Sequence, residues 1–156
     1  EYFPNKNLQM KADLKKAIIT YYDFLVAYQN LLRDGGSYTS AQVTAENATI
    51  AAWPAAKDQI ACVSKKVNSK EVIHLINFNG VTSMDWRDTN GTQKKPTTVT
   101  DLKTTVAVTA QPKKVWFATP DLFGGAPRAV EFTYNSNQIT FTLPSLSYWD
   151  MVVIEY

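Results

Sequence analysis

Arg128-Ala129-Val130-Glu131-Phe132-Thr133-Tyr134-Asn135-Ser136-Asn137-Gln138-Ile139-Thr140-Phe141-Thr142-Leu143 is the stretch whose period decides the fold. Val130, Phe132 and Tyr134 alternate with other residues. Beyond Asn135-Ser136-Asn137, Ile139, Phe141 and Leu143 alternate in the same way. Alternation places every second side chain on one face of a strand. Asn and Ser tolerate the backbone conformations of a tight turn. The stretch therefore predicts a β-hairpin, Arg128 to Tyr134 against Gln138 to Leu143, with its apolar residues facing one another.

The same reading extends outward in both directions. Ile60 to Val67 and Glu71 to Phe78 are two strands joined at Asn68-Ser69, and Leu102 to Ala110 and Lys114 to Ala118 continue the β-rich composition. Tyr148 to Tyr156 closes the chain with Trp149, Met151 and Val153 on one side, and a further strand is expected around Thr49 to Trp53. Seven or eight short strands with close turns and no intervening helices predict a mainly β fold, an antiparallel Greek-key-type β-sandwich.

One long helix precedes these strands. Leu14, Ile18, Tyr21, Leu25, Tyr28 and Leu32 recur at three- and four-residue spacing, and Ala17, Phe24 and Leu31 widen that stripe. Asn7 is the expected N-cap, the helix runs to Arg33, and Gly35 and Gly36 supply the stop. So broad an apolar face must be buried against something. The boundary between helix and strands is expected where Gly, Ser, Thr and Ala accumulate, between Asp34 and Ala48, which divides the chain into 1–36 and 37–156.

Composition narrows the function. With 156 residues the chain is shorter than the roughly 250 of a complete α/β barrel. A net charge of +2 spread over scattered Lys and Arg describes a solvated surface and predicts no nucleic-acid partner. No apolar run reaches the roughly 20 residues of a membrane span, so no membrane partner is expected. Cys62 and His74 are single, which excludes a disulfide or a Cys/His zinc site within the chain. No metal and no cofactor is predicted. Glu1 is neither an initiator Met nor the head of a signal peptide, so the start is expected to be a processed or engineered boundary.

Catalytic constellations are sparse. No phosphate loop, nucleophile elbow or metalloprotease helix is present. His74 alternates with Val72 and Ile76 and reads as a packed, hydrogen-bonded histidine, and Cys62 beside Ile60 and Val63 reads as a small buried hydrophobe. Asp88, Asp101, Asp121, Asp150, Glu131 and Glu155 supply carboxylates, but nothing in their spacing pairs two of them across a glycosidic bond. Asp88 and Asp121 suit turns. Among the aromatics, Trp116 and Trp149 sit in strand alternation and are expected to pack, whereas Trp53 and Trp86 are candidates for stacking on sugar, Trp86 in a loop-like stretch between Gly80 and Pro96.

Motifs distributed along the chain resemble a known family. Glu1-Tyr2-Phe3-Pro4, Tyr21-Tyr22-Asp23-Phe24-Leu25-Val26-Ala27-Tyr28 and Leu31-Leu32-Arg33-Asp34-Gly35 are similar to the end of the catalytic barrel in family 66 of the glycoside hydrolases. His74-Leu75-Ile76-Asn77-Phe78, Trp86-Arg87-Asp88 and Pro144-Ser145-Leu146-Ser147-Tyr148-Trp149-Asp150 resemble its C-terminal β-domain. The likeness runs nearly end to end and is weakest between Ser37 and Asp58. Its members hydrolyse or cyclise α-1,6-linked glucan with a retaining mechanism in a (β/α)₈ barrel. Their Asp nucleophile and Glu acid/base lie upstream, so no catalytic residue falls on this chain.

The resemblance implies that 1–36 is the last helix of that barrel and 37–156 its C-terminal β-sandwich. The chain alone is then expected to be inactive, the sandwich stabilising a secreted enzyme by packing beside the barrel of the same polypeptide. The alternative is a carbohydrate-binding module that contacts α-1,6-glucan through Trp86, Trp53 and Tyr2, the last near the cleft if the segment before the helix follows a barrel strand. Exposure of the Leu14 to Leu32 face would predict self-association. A third possibility, a protein-contact sandwich in an unrelated secreted protein, would be favoured by a helix packed fully onto the strands.

Overall fold

The computed structural model describes residues 10–85, 87, 88 and 90–156. In chain order the elements are helices α1 (Ala12–Ala27) and α2 (Gln29–Leu32), then strands β1 (Ser37–Thr39), β2 (Val43–Ala45), β3 (Ile50–Ala52), β4 (Ile60–Val67), β5 (Lys70–Asn77), β6 (Val99–Ala107), β7 (Lys114–Ala118), β8 (Arg128–Ala129), β9 (Phe132–Asn135), β10 (Gln138–Leu146) and β11 (Trp149–Glu155). The larger sheet has the order β1-β4-β5-β11-β7-β8, with β3 parallel to β4, and the smaller has the order β2-β6-β10-β9. All other pairings are antiparallel. Strand β11 follows β10 of the smaller sheet directly and lies between β5 and β7 of the larger, so the chain crosses between the sheets at the β10–β11 turn.

The predicted hairpin is present, with Ile139 opposite Tyr134 and Phe141 opposite Phe132. Its two-residue turn needs positive φ at both central positions, which Ser136 (49°) and Asn137 (60°) supply. The first arm is not one strand, however. Arg128 and Ala129 pair with β7 in the larger sheet, Val130 still donates its N–H to Val115 O, and only Phe132 onward joins β10. The arm thus crosses from one sheet to the other, which alternation alone does not reveal.

The inward faces of both sheets meet in one core. Ile60, Ile73, Leu75, Val152 and Ile154 from the larger sheet join Leu102, Val106, Ile139, Phe141, Leu143 and Leu146 from the smaller. Each fully buried side chain of this kind contributes roughly 1.5–3 kcal/mol, so this shared layer holds the sandwich together. Within the segment 34–48 lie β1 and β2, one edge strand for each sheet.

The helix is shorter than its pattern suggested. Asn7 lies outside the described residues, Met10 is not helical, and α1 begins at Ala12 after Lys11, whose side chain makes no capping bond. The helix also breaks at Tyr28, where φ is −112° and ψ 19°. One side of the stripe packs on the outer face of the larger sheet. There Phe24 and Leu31, with Tyr28 and Leu32, meet Val67, Val72, Trp116, Met151, Val153 and Trp149. Gly125, at φ 78°, lets Phe24 approach, since a Cβ there would lie 3.1 Å from its ring. The other side is bare: Leu14, Ile18, Tyr22, Leu25 and Val26 are exposed.

Candidate functional site

Three polar anchors fix α1 and α2 on the sheet. The Tyr21 hydroxyl donates to Asp121 Oδ1 at 2.8 Å, and the Tyr28 hydroxyl donates to Gly125 O at 2.7 Å. Lys65, itself buried, donates its ammonium to Leu32 O and Arg33 O at 3.3 Å each, satisfying carbonyls that the end of α2 leaves unpaired. Burial, reinforced by Asp121, holds the Tyr21 phenol protonated far above the usual range.

Beside this attachment lies a groove of about 630 Å³, at the end of the larger sheet where the 78–97 loop crosses it. Trp53, Phe78, Tyr148 and Met84 supply apolar surface, while Asp85 and Lys95 stand on its polar side. Trp53 follows β3 and packs its ring 6.3 Å from that of Phe78, leaving 59% of its surface open. Phe78 is held by backbone bonds from its N–H to Gln59 O and from the Asp58 N–H to its carbonyl. The Lys95 ammonium sits 5.5 Å over the Tyr148 ring.

Asn77 builds the floor. Its amide donates to Thr97 O, Leu146 O and Ser147 O, while its carbonyl oxygen accepts the backbone and side-chain N–H groups of Asn79. One buried side chain therefore joins the end of β5, the loop and the β10–β11 turn. Asp121 reinforces that turn, accepting the N–H groups of Tyr148 and Trp149 on Oδ2 at 2.8 and 3.2 Å. A turn role for Asp121 is thus too modest, because it ties α1 to the β10–β11 corner.

Asp88 and Glu155 have structural tasks, whereas Asp150 is buried without a donor. Asp88 accepts the N–H groups of Thr92 and Gln93 in a loop turn. Glu155 accepts from Lys70 at 2.6 Å and from the Trp116 indole at 2.8 Å. Asp150 is fully buried on the core side of β11, and neither of its oxygens finds a donor. The nearby Thr119 hydroxyl spends its proton on Trp149 O. Burial pushes the Asp150 carboxyl up to about 7, with Thr119 opposing and Asp121 adding.

His74 accepts the Trp149 indole N–H on Nδ1 at 3.2 Å, and burial together with the Lys65 charge pushes its pKa down to about 4. It is a neutral packing residue. Cys62 is buried, and its thiol is pushed up to about 11 by burial and then by Glu71, as a small inert hydrophobe would be. Among the described residues, no group of three or more His, Cys, Asp or Glu is placed to hold a metal ion. No described helix is long and apolar enough to cross a membrane.

Of the three sugar-contact candidates, Trp53 lines the groove, whereas Tyr2 and Trp86 lie outside the described residues. Tyr148, Phe78 and Lys95 were not singled out by sequence reasoning. Tyr148 sits in the Ser147-Tyr148-Trp149-Asp150 run, but only the fold shows that it lines the groove together with Trp53 rather than joining the core.

The family model described as Glycosyl hydrolase family 66 matches residues 1–153. Two cycloisomaltooligosaccharide glucanotransferases from Niallia circulans are 29% and 31% identical to this chain, each over 99% of it. The chain spans only 16% and 17% of their lengths. A cycloisomaltooligosaccharide glucanotransferase of Paenibacillus sp., solved in complex with cycloisomaltoheptaose, superposes with a TM-score of 0.83 at 28% identity. That match covers 98% of this chain and 23% of the other. Because the family match takes in the helix and the sandwich alike, this chain belongs to glycosyl hydrolase family 66.

Proposed function

We propose that this chain is the non-catalytic C-terminal part of a secreted bacterial glycoside hydrolase that hydrolyses or cyclises α-1,6-glucan, and that it stabilises the catalytic barrel of the same polypeptide. The observation that carries this reading is the divided helix. Phe24, Tyr28 and Leu31 are spent on the sandwich, while Ile18, Tyr22, Leu25 and Val26 form a second apolar face in solvent. An apolar face of this kind marks a contact surface. A barrel packed there would make α1 a shared element, joined to the sandwich by Tyr21, Tyr28 and Lys65 on one side and to the barrel on the other.

The acids support a non-catalytic role, since Asp121, Asp88 and Glu155 are committed to hydrogen bonds and Asp150 is sealed from solvent. The purified 156-residue chain should release no reducing sugar from dextran; release would overturn the reading. In the full-length enzyme, Leu25→Asp should lower the melting temperature, yet leave that of the isolated chain unchanged because Leu25 is exposed there. Equal effects in both proteins would remove the barrel contact from the proposal.

A further inference from the structure

The groove and the bare helix face meet at Tyr21 but differ in chemistry, since the groove adds polar side chains to its lining. The depression along α1 is lined by Ala17, Ile18, Tyr21, Tyr22 and Leu25, a surface of aliphatic side chains and tyrosine rings. The groove instead sets exposed aromatic faces against hydrogen-bonding groups. Trp53 and Tyr148 stand at 59% and 41% exposure, and Ser83, Asp85, Gln93 and Lys94 border the same space.

Ser83 donates to Asp85 Oδ2 and the Gln93 amide to Asp85 O, but an apolar helix or strand docked there would still take the Asp85 carboxylate and the Lys94 ammonium out of water at a cost. A hexose suits both walls, because it offers a C–H face to an aromatic ring and hydroxyls around its rim. At about 630 Å³ the space falls within the roughly 300–1,000 Å³ of small-molecule sites. Asn77 and the Phe78 backbone bonds also set its floor before any ligand arrives, which limits the ordering cost of binding. Among the described residues that line it, Asp85 is the one carboxylate, beside Lys94 and Lys95, and none is an arginine, so these residues form neither an acidic cluster nor a guanidinium fork for phosphate.

We propose that the groove between Trp53 and Tyr148 is an accessory binding site for a segment of neutral α-glucan of the dextran type, separate from any catalytic cleft. The choice of glucan rests on the family reading above, and the existence of the site rests on the groove. Its role is retention: it holds polymer near the enzyme without touching the scissile bond. The Trp53 and Tyr148 rings offer their faces to the sugar, and Lys94 with the Asp85 oxygen that Ser83 leaves free serves the hydroxyls.

The test is affinity electrophoresis of the 156-residue chain in gels with and without dextran, with circular dichroism to confirm folding of each variant. The wild-type chain should be retarded by dextran. Trp53→Ala and Tyr148→Ala should each weaken that retardation roughly tenfold in apparent affinity. Tyr22→Ala, on the bare face of α1, should leave it unchanged. Unretarded wild-type chain, or retardation that survives both groove substitutions, overturns the site. Neither result bears on the scaffold role, which is read from dextran hydrolysis and from Leu25→Asp in the full-length enzyme.

Discussion

The Tyr21 hydroxyl and the Asp121 carboxylate meet at 2.8 Å although 100 positions separate them in the chain. That bond fastens α1 to a carboxylate which already accepts two backbone N–H groups from the β10–β11 turn. Tyr21→Phe should therefore cost about 1.5–3 kcal/mol, the range for a hydrogen bond to a charged group. Hydrogen exchange should localise the loss to α1. Asp121→Ala should cost more in urea denaturation, because it also strands the Tyr148 and Trp149 amides. Equal losses for the two variants would show that the turn does not depend on Asp121.

Asp150 and His74 should oppose each other in the pH dependence of stability. The Asp150 carboxyl is raised from 3.8 to about 7 by burial, so between those values the native state keeps a proton that the unfolded chain has released. Its contribution is full below pH 3.8, and stability falls as pH rises towards 7. His74 is lowered from 6.5 to about 4, so there the unfolded chain binds the extra proton and stability rises with pH. The wild-type curve should be nearly flat where the two windows overlap. Asp150→Asn should unmask a rise of a few kcal/mol from His74. A flat curve in that variant, from denaturant melts across the range, would contradict the assignment.

How much of this was legible beforehand follows from what periodicity can see. Strands β4, β5, β7, β10 and β11 were readable because their alternation spans several residues, and the Trp149, Met151, Val153 face did pack as one side, against Phe24. Strands β1 and β2 were not, because three residues each of Ser, Thr, Tyr, Val and Ala carry no period and gain their place from pairing with β4 and β6. The helix stripe was readable as apolar, but not its division between sandwich and solvent. Phe24 and Leu25 are neighbours in sequence, and only the fold decides that one is 2% exposed and the other 43%. The groove was half legible. Trp53 was singled out, but its floor is made by Asn77, which reads as an ordinary strand end until its three carbonyl partners arrive from distant segments.

In the 156-residue chain, the bare face of α1 should drive self-association. Ile18, Tyr22, Leu25 and Val26 are between 36% and 72% exposed and lie on one side of the helix. Apolar patches of this kind are seldom left in water. Sedimentation should show a dimer whose population grows with concentration, and Tyr22→Lys combined with Val26→Lys should return it to monomer. A wild-type chain monomeric at high concentration would argue that the patch is too small to hold two copies together.

Lys65 couples the end of α2 to His74. Its ammonium donates to Leu32 O and Arg33 O, and the same charge is one cause of the lowered His74 pKa. Lys65→Met keeps the aliphatic stem against the sheet but removes both effects. Two terminal carbonyls lose their donor, which should cost about 1–3 kcal/mol and loosen the link between α2 and β4. His74 loses a repelling charge, so its pKa should rise from about 4 towards, without reaching, 6.5, because burial remains the larger cause. NMR titration of the single imidazole reads the second effect directly, and thermal melts read the first. An unmoved His74 pKa would mean that burial alone sets it, leaving Lys65 as a cap for the helix and nothing more.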